Sequence, residues 1–227
     1  MCTHIEAIEK FISYFQEKKI DISSIQPIFC RKIIYAAALD TIARAAFGKT
    51  YTNHDRYIKL LNELTNWQYR EHISLPQVCL AFEKEGISDN LYSEAKAQLV
   101  RWPHGQILSL DNSPLLSTLK PLADSEKSNR FLFKSQYAEL FYIYRNNLIH
   151  EFREPGYGFE GLSTQNQPYY HGMTDMDTNN TTWELVFPVG FFEYLYNEAL
   201  VGLKIHLVRD NINPFCQFEL GSKWSAN

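Results

Sequence analysis

One stretch of the sequence interrupts an apolar helix pattern with groups able to move protons and bind phosphate. It reads Tyr144-Arg145-Asn146-Asn147-Leu148-Ile149-His150-Glu151-Phe152-Arg153-Glu154. Arg145 is a permanent cation whose forked donors match phosphate oxygens. His150 is the side-chain type that exchanges a proton nearest neutral pH. With the amide of Asn146 beside them, the two would suit a phosphodiester. The guanidinium would offset charge gathering on a five-coordinate phosphorus, and the imidazole would carry a proton. At about 100° per residue, Asn146, His150 and either Arg153 or Glu154 share a helix face turned from the Tyr144 and Leu148 stripe. On the same wheel Arg145 stands about 140° from His150. The two would then meet only if the long guanidinium reached round, or if a twofold mate supplied the second group. The plainer alternative is a solvated helix face on which Arg145, His150, Glu151 and Glu154 form ordinary ion pairs.

Other residues are candidates for support. Asp40 and Arg44 stand four apart inside the most apolar helix pattern, where unpaired charge is costly, so they read first as a buried pair. The sharper reading has them project into the same cleft and hold Arg145 and His150, with Tyr51 lining it. Tyr169-Tyr170-His171 and Asp175-Met176-Asp177 look like half a metal site, but they read as loop and lack a third ligand at useful spacing. There is no glycine-rich phosphate loop, no GxSxG elbow and no HExxH in the sequence. The cysteines Cys2, Cys30, Cys79 and Cys216 are scattered without CxxC spacing. They fit incidental thiols in a reducing compartment better than a disulfide frame or a zinc site. The expectation is a site without metal or cofactor.

The segment Arg145-Asn146-Asn147-Leu148-Ile149-His150 has the RNxxxH form of an Arg-x4-6-His signature. Here the sequence resembles the HEPN family of helical proteins, which carry this signature on a late helix of a bundle. The bare pattern arises easily by chance, so the asparagine after Arg145 and the helical context carry the resemblance. It implies metal-independent RNA cleavage, in which the 2′-hydroxyl attacks the adjacent phosphate and leaves a cyclic phosphate and a 5′-hydroxyl. It implies a site composed across a homodimer, with His150 as general acid and base, Arg145 as phosphate ligand and Asn146 as orienting residue. Arg153 and Glu154 would support them. The setting it implies is defence or toxin–antitoxin systems, with RNA as substrate and an antitoxin partner such as a minimal nucleotidyltransferase. The alternative within the same fold is a non-catalytic module that binds RNA, a nucleotide or a protein.

The elements that must position these residues read as helix after helix. Thr3-His4-Ile5-Glu6 is a capping-box pattern, followed by Ile5, Ile8, Phe11, Ile12 and Phe15 on one face. A second helix should begin near Pro27 and stop at Gly48, and a third should run from 53 to about 69. Shorter ones are expected over 76–85, ended by Gly86, and from a Ser88 cap to about 101. Residues 102–124 hold three prolines and read as a long connection. A strong helix from 124 or 125 carries the stripe Tyr137, Leu140, Phe141, Tyr144, Leu148 and Phe152, and ends at Pro155-Gly156. Trp183-Glu184-Leu185-Val186-Phe187 reads as a strand, paired with a piece around 157–162, before a last helix over about 189–208. The fold class expected is all-α. It is a HEPN-like bundle forming one domain over 1–227, with a β-hairpin insertion over about 156–188 and an irregular tail from about 210.

Composition bounds the rest. The chain has 227 residues, 45% of them apolar, with 22 Lys and Arg against 26 Asp and Glu, a formal charge of −4. That is globular rather than disordered. It argues against a general nucleic-acid coat, whose affinity comes from a basic face and counterion release, but leaves room for a small basic cleft. The longest apolar run, residues 33–39, is far short of the roughly 18 residues of a membrane span. The N-terminus lacks the basic and apolar regions of a signal peptide. A soluble, cytoplasmic protein with no membrane partner is the expectation.

Overall fold

The structure, a computed structural model, describes residues 4–103, 105–158, 160–161, 165–174 and 181–218. It is mostly helical, with a small three-stranded antiparallel sheet. The first half holds α1 (His4–Ser24), α2 (Ile28–Phe47), α3 (Asn53–Lys59), α4 (Leu75–Glu85) and α5 (Asn90–Leu99). Then come β1 (Ile107–Ser109), α6 (Leu116–Leu119), α7 (Glu126–Lys134) and α8 (Tyr137–Asn146). The hairpin β2 (Tyr169–Thr174) and β3 (Thr181–Val186) leads into α9 (Val189–Arg209). Among the described residues no helix is long and apolar enough to cross a membrane.

Local chemistry explains most of the helix ends. Pro27 precedes α2, and Gly48 takes φ 68° just after it. Gly86 closes α4 in the left-handed region, where an L side chain would be strained. Thr52 caps α3 by accepting from the Asp55 amide, and Ser74 caps α4 by accepting from the Gln77 amide. The cap of α5 is Asp89 rather than Ser88; its carboxylate accepts from the Tyr92 amide. The capping threonine expected before α1, Thr3, lies outside the described residues.

Several expectations are corrected. The third helix does not run to 69: α3 passes into a π-helical turn at Leu60–Leu64 and stops at Thr65. The long helix expected from 124 is broken at residues 135–136. There the Ser135 carbonyl accepts from the Ser74 amide at 2.9 Å, and the Tyr137 amide donates to the His72 carbonyl at 3.0 Å. Pairing with this neighbouring segment replaces the helix ladder, so α7 and α8 are separate. Residues 102–124 are not merely a connection, because they supply β1, α6 and short 3₁₀ turns. The partner of β3 is β2, with Tyr170 opposite Leu185, while β1 pairs the other edge of β2 with Leu108 opposite Tyr170. Tyr169, Tyr170 and His171 are therefore strand residues, not loop. The piece around 157 lies against β3 without joining the ladder. The Tyr157 amide donates to Glu184 Oε2 at 3.1 Å, and a Cβ on Gly158 would stand 3.2 Å from the Leu185 carbonyl.

Backbone contacts divide the chain into two compact units, where the sequence reads as one domain. One is Met1–Asn66 with Phe192–Asn227, and the other is Trp67–Phe191. In the first unit Tyr35 meets Tyr196 edge-on at 5.3 Å, and the Tyr196 hydroxyl donates to the Phe15 carbonyl at 2.5 Å. Gly202 of α9 passes so close to the π turn that a Cβ would run into the Leu64 backbone. The second unit is centred on rings. Phe141 meets Phe187 at a tilt at 5.0 Å and Phe191 edge-on at 5.3 Å, and Trp67 meets Phe191 at 4.8 Å. Below the hairpin, a buried hydroxyl chain links Ser74 to Tyr170 at 2.5 Å, Tyr170 to Tyr137 at 3.2 Å and Tyr137 to Ser113 at 2.6 Å. It ties the start of α8 to β2 and to the cap of α4.

Candidate functional site

The Arg145 segment and the rings packed under it lie in the second unit. Phe141, Tyr144 and Leu148 are buried, and Tyr144 meets Phe187 at 5.1 Å. Each such burial stabilises by about 1.5–3 kcal/mol, which fixes the rotation of α8 about its own axis. After Asn146 the helix widens into a π turn, Asn147–Glu151, closed by the Phe152 amide donating to the Asn147 carbonyl. Residues five apart come close to line in such a turn, where an α-helix would splay them. Arg145 and His150 are five apart.

The wheel argument that separates them is thereby corrected. Arg145 Nη1 lies 3.4 Å from His150 Nε2 and 2.6 Å from Asn146 Oδ1, all within one chain. A guanidinium only donates, so the imidazole nitrogen facing it must present its lone pair. Arg145 is only 7% exposed, and its guanidinium lies 5.9 Å over the Tyr142 ring. Burial draws the guanidinium below its ordinary pKa, yet arginine stays cationic in proteins. His150 is exposed, so the pair joins a desolvated cation to a solvent-facing base.

The supporting candidates are distributed otherwise. Arg153 pairs with Glu151 at 2.6 Å and both are exposed, an ordinary solvated ion pair. Glu154 is directed to Tyr144. Burial first, and then the Glu154 charge and hydrogen bond, push the Tyr144 hydroxyl far above its usual range. Asp40, Arg44 and Tyr51 belong to the first unit. Asp40 and Arg44 are half-buried. Arg44 donates to the Gln217 carbonyl at 3.2 Å and lies 5.5 Å over the Phe218 ring. Tyr51 packs on Phe47 and under Lys59, whose ammonium is 5.1 Å from its ring. Three of the eight candidates are therefore brought together, namely Arg145, Asn146 and His150.

For metal, His171 sits within β2 opposite Ile107 and Glu184. Asp175-Met176-Asp177 lie outside the described residues. Among the described residues no three His, Cys, Asp or Glu side chains are grouped to hold a metal ion. Phe152, expected on the apolar stripe of the helix, instead closes the π turn in the left-handed region at φ 55°, ψ 40°, and is 71% exposed. The available signal was an aromatic residue where a helix C-terminus usually carries glycine. No family profile, curated protein sequence or solved structure matches the chain.

Proposed function

We propose that the chain is a metal-independent endoribonuclease of the HEPN type. The observation that carries this reading is the approach of Arg145 Nη1 to His150 Nε2 at 3.4 Å, with Asn146 holding the same nitrogen at 2.6 Å. In the proposed reaction His150 takes the proton of an RNA 2′-hydroxyl, and the freed oxygen attacks the adjacent phosphorus. Arg145 offsets the charge on the phosphorane. The phosphorus–oxygen bond to the 5′ side breaks and that oxygen takes up a proton, leaving a 2′,3′-cyclic phosphate and a 5′-hydroxyl. Two proton transfers are needed and each chain offers one such imidazole. A homodimer that faces two copies of the motif would supply both a base and an acid, which is the arrangement the family resemblance implies. In this reading RNA is the substrate and the setting is defence or toxin–antitoxin biology, with an antitoxin as partner.

The test is cleavage of single-stranded and structured RNA by the purified chain in excess EDTA. His150→Ala is expected to lose about 10²–10⁴-fold in rate, the usual worth of a proton-transfer group, with an unchanged circular dichroism spectrum. Full activity in that variant would remove the imidazole from the mechanism. A protein that binds RNA before and after the substitution, and cuts it in neither state, is instead a phosphate-binding module.

A further inference from the structure

α9 is apolar on two sides. Leu195, Tyr196, Ala199, Leu203 and Leu207 are buried in the first unit. Val201, Ile205 and Val208, spaced four and three apart, form a second stripe that is 62%, 62% and 48% exposed. A helix apolar all round is normally covered all round, and a contiguous apolar strip rimmed by polar groups marks a contact surface. The stripe is a ridge between two grooves. One, of about 450 Å³, runs beside the π turn of the first unit and is lined by Glu63, Asn66, Glu198 and Arg209. The other, of about 400 Å³, lies between α1 and α9, where Ile12, Leu200, Val201 and Ile205 line it with Lys19 and Lys204. A ridge with a groove at its side is the shape a second helix packs into, and a patch that holds both can pair with its own copy.

The charges select that partner. Glu198 and Arg209 are eleven residues apart, which at about 100° per residue brings them within about 20° of each other on one flank of α9, and both line the same groove. Asn66 donates to Glu198 Oε2 at 2.9 Å, and Asp210 accepts from Nε and Nη2 of Arg209 at 2.7 and 2.8 Å. Glu198 Oε1 and Arg209 Nη1 have no hydrogen-bond partner among the described residues. The midpoint between the two charges falls level with residues 203 and 204, inside the apolar stripe. An antiparallel copy of α9, related by a twofold axis at that level, sets its Arg209 opposite Glu198 and its Glu198 opposite Arg209. Lys204, the charge of α9 nearest that axis, is answered within its own chain by Glu9 at 2.8 Å.

We propose that this outer face of α9 seats a second copy of the chain, α9 against α9 and antiparallel about that twofold. Val201, Ile205 and Val208 are buried between the copies, and two Glu198–Arg209 pairs close one flank. Every residue in the argument belongs to the first unit, so the proposal does not rest on the ribonuclease reading.

Sedimentation equilibrium of the purified full chain over a concentration series measures the dimer dissociation constant, with circular dichroism checking the fold. The parent should dimerise, and Ile205→Asp, a change at an exposed position, should leave a folded monomer. Arg209→Glu and Glu198→Arg alone should each raise the constant about tenfold or more, since each sets like charges opposite one another twice. The two together exchange the charges and should return the constant to near the parent value. A parent that stays monomeric at every concentration overturns the proposal. So does a dimer that survives Ile205→Asp, because another face then holds it. Single reversals without effect, or a double reversal that fails to recover, overturn it as well, because they remove the antiparallel register that picks out this partner.

Discussion

At the scale of the residue, the account rests on what arginine can do that lysine cannot. Arg145 donates from Nη1 to Asn146 and faces His150 from the same nitrogen, while its planar head lies over the Tyr142 ring. An ammonium is a point charge on a flexible stem and cannot lay a planar head over that ring while it donates. Arg145→Lys keeps the charge and is expected to lower kcat by about 10²-fold, the effect of removing one preorganised donor from a transition state. KM should change far less. A steady-state titration on a short RNA measures the split, and a loss confined to KM would reduce Arg145 to substrate binding alone. Arg153 is the contrasting residue. Its exposed partnership with Glu151 contributes little in water, and it gives the site no free cation.

At the scale of the element, the two π turns are where the chain departs from regular periodicity. In the first unit, the turn at Leu60–Leu64 presses its backbone against Gly202 of α9. Gly202→Ala improves helix propensity by about 1 kcal/mol, but its Cβ meets backbone atoms that cannot rotate aside, an overpacking cost of about 1–3 kcal/mol. The expected outcome is net destabilisation in urea unfolding, and a stabilised variant would show that α9 moves away freely. The other π turn explains what the sequence could and could not disclose. Helix ends written in Pro27, Gly48 and Gly86 were legible because one residue type decides them locally. The break at residues 135–136 and the strand β1 were not, since both arise from pairing with distant backbone at His72, Ser74 and Tyr170. Arg145, Asn146 and His150 were legible as types and spacing. Their convergence was not, because a helical wheel assumes one rotation per residue and the π turn changes it.

At the scale of the whole molecule, the formal charge of −4 and the site are compatible, because the site asks for little positive field. In the proposed reading, the single desolvated arginine of the described site would give contact-limited affinity rather than the salt-driven grip of a basic coat protein. Stability, by contrast, is spread through buried tyrosines. Burial pushes the hydroxyls of Tyr137, Tyr144 and Tyr170 well above their ordinary pKa. In the unfolded chain they ionise near pH 10, while in the native state they remain neutral beyond it. The native state then holds more protons, so stability is flat in these groups below about pH 10 and falls as pH rises above it, by up to about 1.4 kcal/mol per pH unit for each group. Urea titrations across that range should show the fall, and Tyr170→Phe should reduce its slope. The central claim concerns chemistry and is tested most directly on the products. RNA cut by the purified chain in EDTA should carry 2′,3′-cyclic phosphate and 5′-hydroxyl ends, and His150→Ala should yield neither. Intact RNA, or ends bearing a 5′-phosphate, would contradict it.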